Sequence, residues 1–229
     1  MPPAIITYDN REDLALKLAG VVARQLDDAL ATTGRATLAV PGGTTPGPFL
    51  TGLSLEQIDW SNVSVMLTDE RFVPETSDRS NTRLLRETLL QNNAATARVV
   101  PFYAPADRPE DVLGALLNSV VPALPLDVCV LGMGEDMHTA SIFPGADRLD
   151  EALSDTADAI VPMRAPGAPE PRLTLSGPVL RAANNLHILI TGEGKMRALE
   201  TAMQAGPEAE APIRTVLNCG RPVTVHYAD

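Results

Sequence analysis

Leu126-Asp127-Val128-Cys129-Val130-Leu131-Gly132-Met133-Gly134-Glu135-Asp136-Met137-His138-Thr139-Ala140-Ser141 joins a short aliphatic run to a loop of glycines and ionisable side chains. A run of this length, bounded at once by glycine, predicts a strand over residues 127–131 that is buried on both faces, as in a parallel sheet covered by helices. Cys129 within it is expected to act as a small hydrophobe.

On both sides of this segment, strand-like and helix-like patterns alternate. Residues 5–8 form a short run with two isoleucines, and Asn10 then caps a helix whose apolar positions include Leu14, Leu18, Val22 and Leu26, ending at Gly34. Strands are expected over 36–40 and 63–67, and helices from Pro46, from Ser80 and over 107–121. Beyond the central run, strands are expected over 159–163, 172–175, 186–191 and 223–227, with helices over 178–183 and 195–204. The stretch 165–171 holds three prolines and a glycine and reads as a surface loop. This order implies an α/β fold with a mostly parallel sheet, helices on both faces in a Rossmann-like three-layer arrangement, and right-handed crossovers. One domain over 1–229 is the economical reading. In such sheets ligands sit beyond the carboxyl ends of the strands, where the polar motifs of this chain lie.

Composition narrows the function. Only 3% of the residues are aromatic against 45% hydrophobic overall, so the core must be built from Ala, Val, Leu and Ile. Acids outnumber bases 29 to 18, a net charge of -11, which argues against a nucleic-acid partner but leaves room for a small anion held by a few focused cations. The two cysteines, Cys129 and Cys219, have no metal-ligand spacing. The stretch Met1-Pro2-Pro3-Ala4-Ile5-Ile6 lacks the basic and apolar regions of a leader, and no run approaches the length of a membrane helix. A cytoplasmic protein without a membrane partner, monomeric or weakly homodimeric, is expected.

Four motifs carry chemistry. Val40-Pro41-Gly42-Gly43-Thr44-Thr45-Pro46 follows a strand and opens a helix. Its glycines allow close approach to a ligand, Thr45 is placed to cap the helix, and free N–H groups there favour an anion such as phosphate. No Gly-Lys-Ser/Thr follows, so it is not a nucleotide P-loop; a plain strand–helix connection is the competing reading. Thr68-Asp69-Glu70-Arg71 ends a strand with an acid to orient a sugar and an arginine to pair with phosphate, or with a Glu70–Arg71 ion pair that merely braces the loop. In the loop after the central strand, Asp136 and His138 make a carboxylate-oriented general base. His187 and His226 fall within strands and are read as structural. Gly132-Met133-Gly134 is not a dinucleotide fingerprint, since Met137 occupies the third glycine position. The last motif pairs Arg172-Leu173-Thr174-Leu175 with Gly192-Glu193-Gly194-Lys195, where a lysine at a helix start is relieved by a bound anion, or is simply solvated.

Together and in this order, these motifs resemble the 6-phosphogluconolactonases, which share an α/β superfamily with the glucosamine-6-phosphate deaminases (isomerases). The resemblance runs from Gly42 to Lys195. Its most diagnostic part is Gly132 to Gly145, with Glu135-Asp136, His138-Thr139-Ala140-Ser141 and Phe143-Pro144-Gly145. Asp69-Glu70-Arg71-Phe72-Val73-Pro74 followed by Ser80-Asn81 is similar to the lactonases as well. The resemblance implies hydrolysis of 6-phospho-D-glucono-1,5-lactone to 6-phosphogluconate in the oxidative pentose phosphate pathway. It implies that Gly42, Gly43, Thr44, Thr45, Arg172 and Lys195 hold the phosphate with Arg71 nearby, that His138 is the base, and that Asp69 and Asp136 orient the sugar or the histidine. An activated ester needs only a base and carbonyl stabilisation, so neither a metal nor an organic cofactor is expected.

The chain departs from the family at Met137, where glycine is usual. Methionine enters positive φ only at a cost, so the loop is expected to bend differently or the pocket to be narrower. The deaminase alternative is opposed by Phe143, which stands where that branch carries a proton-shuttling acid. A non-catalytic sugar-phosphate sensor is opposed by the presence of His138.

Overall fold

The computed structural model describes residues 2–229; Met1, the first residue of the stretch read for a leader, lies outside them. The chain opens with β1 (Ala4–Thr7), α1 (Arg11–Thr33), β2 (Ala36–Val40), α2 (Gly47–Ser54) and β3 (Val63–Leu67). It continues through β4 (Asp69–Arg71), α3 (Asn81–Thr88), β5 (Arg98–Val99), α4 (Leu113–Val120) and β6 (Val128–Gly132). Then come α5 (Leu149–Leu153), β7 (Ile160–Met163), β8 (Arg172–Leu175) and α6 (Gly177–Arg181). The last elements are β9 (Asn185–Thr191), α7 (Glu193–Ala202), α8 (Arg214–Leu217) and β10 (Val223–Ala228).

Seven strands form one parallel sheet in the order β1-β10-β9-β6-β2-β3-β5. From β2 the chain moves outward through β3 and β5, then returns to β6 on the other side of β2 and moves the opposite way through β9 to β10. Right-handed crossovers that run in opposite directions put their helices on opposite faces. The reversal between β2 and β6 is therefore the crevice of the fold, and the loops leaving these two strands meet there.

The aliphatic core follows from composition. β2 is buried at every position, and Val128, Cys129, Val130 and Leu131 are fully buried in β6. Burial pushes the Cys129 thiol up to about 12, so it stays protonated as the hydrophobe its position demands. α1 starts as expected: Asn10 accepts a hydrogen bond from the Asp13 N–H, and Gly34 ends the helix at φ 73°. The expected helix over 107–121 is split into a 3-10 turn at Pro109–Val112 followed by α4.

A second sheet was not anticipated. β4, β8 and β7 pair antiparallel, and β4 begins one residue after β3 ends. Thr68 makes the corner, donating its N–H to Val40 O while its own carbonyl accepts from the Leu175 N–H. This small sheet thus stands over the carboxyl ends of β2 and β3. Its sequence signal was hidden because β4 has only three residues, all polar.

His187 and His226 are structural, as expected. Gln25 Oε1 can only accept, so His187 Nε2 donates to it (2.8 Å). His187 Nδ1 is then free to accept from His226 Nε2 (3.0 Å), whose Nδ1 accepts from the Tyr8 hydroxyl (2.7 Å). This neutral chain holds β1, β10 and β9 to α1. Burial lowers His187 to about 4; burial and then the charge of His187 lower His226 to about 3. Both folded values lie below the ordinary 6.5, so the unfolded chain binds more protons between them. The stabilisation is complete above pH 6.5 and is lost as pH falls toward 4. Unfolding free energy should drop by on the order of 3 kcal/mol between pH 7 and 5. Denaturant melts of the H187Q/H226Q double variant should show most of that slope removed; an unchanged slope would refute the assignment.

Candidate active site

The loop Pro41–Pro46 leaves β2 into the crevice and leads straight into α2. Thr45 does not cap this helix, contrary to the expectation. Pro46 is the N-cap residue, and no side chain satisfies the first N–H groups of α2. The reason is spacing: the helix starts at Gly47, one residue later than a Thr45 cap would require. The uncapped end remains a donor site for an anion. Gly42 is obligatory for another reason. A Cβ there would lie 2.0 Å from Asn81 Cγ, and the Asn81 amide is held by donating to Asp69 O (2.9 Å), so the loop packs on this side chain at the start of α3 more closely than a Cβ permits.

Within β4, alternation separates three polar residues by task. Glu70 points away from the crevice and is 1% exposed. It accepts from the N–H groups of Arg71, Asn81 and Thr82 (2.8, 2.8 and 2.7 Å) and from the hydroxyls of Ser80 and Thr82 (3.1 and 2.7 Å). Burial raises its pKa and these donors oppose the rise. The Glu70–Arg71 ion pair considered from sequence is absent among the described residues, because Glu70 spends its oxygens on the start of α3. The Arg71 guanidinium instead donates to Arg79 O (2.5 Å) and lines the cleft.

Arg71 stands directly opposite Arg172 in the antiparallel register. Like charges placed so are destabilising unless something answers them. Asp69 answers in part, with its Oδ2 3.9 Å from Arg172 Nη1. Both arginine Nε atoms are buried without a hydrogen-bond partner among the described residues. Burial pushes the Arg172 pKa down, the Asp69 charge resists, and Arg71 adds to the fall. Two partly desolvated guanidiniums with idle donors suit a multivalent anion such as phosphate.

The loop after β6 lies beside this pair. Asp136 Oδ1 is 2.5 Å from His138 Nδ1 and also accepts from the His138 N–H (3.2 Å). The bond to His138 holds the Asp136 carboxyl below its usual range, despite partial burial. With Nδ1 held by a carboxylate, Nε2 is the ring nitrogen left to act on a ligand. The Phe143 ring packs on the imidazole with centroids 4.2 Å apart, and Arg172 Cζ lies 5.8 Å from the same ring. Lys195 arrives from the first turn of α7, where Gly192 provides no side-chain cap. Burial lowers the Lys195 pKa, and nearby Glu135 opposes that effect.

These groups share one cleft of about 260 Å³, lined among others by Gly42, Gly43, Thr44, Thr45, Asp69, Arg71, His138, Arg172 and Lys195. Asp136 does not line it and stands behind His138. A family model described as glucosamine-6-phosphate isomerases/6-phosphogluconolactonase matches residues 9–225. The chain belongs to this family.

A 6-phosphogluconolactonase of Rhizobium meliloti (strain 1021) is 46% identical over 225 residues, covering 96% of this chain and 97% of the relative. One from Pseudomonas aeruginosa is 42% identical, covering 96% and 92%. A crystal structure of a 6-phosphogluconolactonase from Shewanella baltica superposes with a TM-score of 0.95 at 35% identity, covering 99% and 98% of the two chains.

Met137 corrects one expectation about this member of the 6-phosphogluconolactonase/isomerase family. It takes φ 65°, so the loop does bend through the left-handed region. The turn is held from both sides: Met137 N–H donates to Gly134 O (3.0 Å), Gly134 N–H to His138 O (3.0 Å), and Ile213 N–H to Met137 O (3.1 Å). The Met137 side chain packs on the core, which offsets a strain of about 1–2 kcal/mol. Asn81 and Phe143 line the cleft although sequence reasoning gave them no role. Their motif positions were visible; their contacts depend on the second sheet and on the turn after Ser141. Among the described residues, no helix is long and apolar enough to cross a membrane.

Proposed function

We propose that this chain hydrolyses 6-phospho-D-glucono-1,5-lactone to 6-phosphogluconate, with His138 as general base. The observation that carries the proposal is the Asp136–His138 pair at a cleft also lined by Arg71, Arg172 and Lys195. His138 Nε2 takes a proton from water as the oxygen adds to the lactone carbonyl carbon. Collapse of the tetrahedral intermediate breaks the bond to the ring oxygen, which takes the proton back from the imidazolium. Asp136 keeps Nε2 directed at the cleft and stabilises the imidazolium.

The loop Gly42–Thr45, Arg172 and Lys195 hold the phosphate with Arg71 beside them, and Asp69 orients the sugar. This grip is remote from the reacting carbon and supplies positioning. The named activity of the relatives supports the reading. So does Phe143, whose ring cannot move the proton that a deaminase must move. The reaction belongs to the oxidative pentose phosphate pathway, and the chain serves it as one cytoplasmic domain.

Lactone hydrolysis should be measured by product release, with spontaneous opening subtracted and the phosphorylated substrate compared with glucono-1,5-lactone. The phosphorylated lactone should be favoured by at least about 100-fold in kcat/KM, and Arg172→Ala should erase most of that preference. Equal rates on the two lactones would refute the phosphate grip.

A further inference from the structure

We infer that Ser141 is a positioning residue that orients Asp69 in the cleft and holds the His138 loop in register with the sheet carrying Arg71 and Arg172. The inference rests on the roles proposed above for Asp69 and His138.

Ser141 lies three residues after His138 and is fully buried. Its hydroxyl donates to Asp69 Oδ2 at 2.5 Å, a short charge-assisted bond. A carboxylate oxygen accepts, so the serine hydroxyl is the donor. The Ser141 N–H donates to Thr174 Oγ1 (3.1 Å), and the Thr174 hydroxyl spends its hydrogen on Leu175 O (3.0 Å). Thr174 is also the cross-strand partner of Asp69. One residue of the base-bearing loop is thereby joined to the sugar-orienting carboxylate by its side chain and to β8 by its backbone, two residues from Arg172.

The loop does not need this hydroxyl to keep its path. Thr139 Oγ1 donates to Gly132 O (2.9 Å), Ile142 N–H donates to Thr139 O (2.9 Å), and Met137 O accepts from Ile213. Yet Ala140, just before Ser141, is held at φ 49°, a conformation that costs a non-glycine residue energy. The strain is placed where it delivers Ser141 to Asp69. Asp69 Oδ1 has only a long contact, 3.4 Å from Thr68 Oγ1, so fixing Oδ2 leaves the other oxygen for a sugar hydroxyl.

The test is a double-mutant cycle on the full chain with S141A, D69N and the combination, plus S141C as a near-isosteric variant with a weak donor. S141A should lower kcat by about 10- to 100-fold while KM moves less than about threefold, and S141C should fall between S141A and wild type. If Ser141 acts through Asp69, S141A/D69N should be within about threefold of D69N alone. Wild-type kcat in S141A would overturn the inference, as would losses that multiply in the double variant. Multiplying losses with a lowered melting temperature would assign Ser141 to loop stability alone. Should His138→Ala retain full activity, the proposed base would fail without touching Ser141. The cycle is then read from calorimetric 6-phosphogluconate affinity in the same four proteins, where additive effects would still sink the Ser141–Asp69 coupling.

Discussion

Replacing His138 with alanine is expected to lower kcat for lactone hydrolysis by at least about 100-fold, roughly 2.7 kcal/mol of transition-state stabilisation. KM should change little, because the grip proposed for the phosphate uses Arg172, Lys195 and the Gly42–Thr45 loop rather than His138. The fold should survive, since the ring is partly exposed and its hydrogen bond runs to Asp136, an exposed neighbour in the same loop. Asp136→Asn should fall between the two, because Phe143 still packs on the imidazole when the carboxylate is lost. Rates in the alanine variant equal to wild type would remove His138 from the mechanism and turn attention to Asp69, the carboxylate that lines the cleft.

The electrostatics of the cleft make sense only against the charge of the whole. A chain of net charge -11 repels an anionic lactone on average, so affinity must be local. Burial weakens the hydration of Arg172 and Lys195, and the Nε donors of Arg71 and Arg172 are buried without a partner among the described residues. Asp69 is the counterweight: without a carboxylate near Arg172, two facing guanidiniums would strain the small sheet. The same carboxylate is the one proposed to orient the sugar, so the charge that steadies the site would also read the substrate.

Most of the parallel sheet was legible because its strands are aliphatic runs with a glycine or a polar turn after them, β6 most clearly; β5, only Arg98–Val99, has no such run and was not expected. That ligands sit beyond the carboxyl ends of the strands followed from the same reading, and with it the end of the sheet where the cleft lies. The second sheet was not legible. β4 is Asp-Glu-Arg, and a strand of three charged residues carries no apolar alternation to betray it. Pairing across long loop separations, Asp69 with Thr174 and Arg71 with Arg172, cannot be seen in local pattern at all. For that reason Arg71 could be read as a brace for Glu70, when alternation along β4 sends the two side chains to opposite faces. The fate of Met137 was hidden for a related reason. Local sterics alone oppose its positive φ, and only the turn's bonds among Gly134, Met137 and His138 and the tertiary bond from Ile213 show what holds it there.

Gly134→Ala should come within about tenfold of the His138→Ala loss while leaving stability nearly intact. A Cβ at this position would lie 2.3 Å from His138 Nδ1 and 2.4 Å from Asp136 Oδ1, at the junction of the catalytic pair. Gly134 does not occupy the left-handed region, so alanine can adopt its backbone and the objection is one of space. Both offended atoms belong to side chains with exposed surface, which can swing aside at small cost to the fold. They cannot do so and keep their 2.5 Å bond. The added methyl would therefore unseat the imidazole without removing it. Melting temperature and 6-phosphogluconate affinity should stay close to wild type as kcat collapses. An alanine variant with wild-type kcat would mean that the Asp136–His138 contact is dispensable, and that the base works from some other arrangement of the ring.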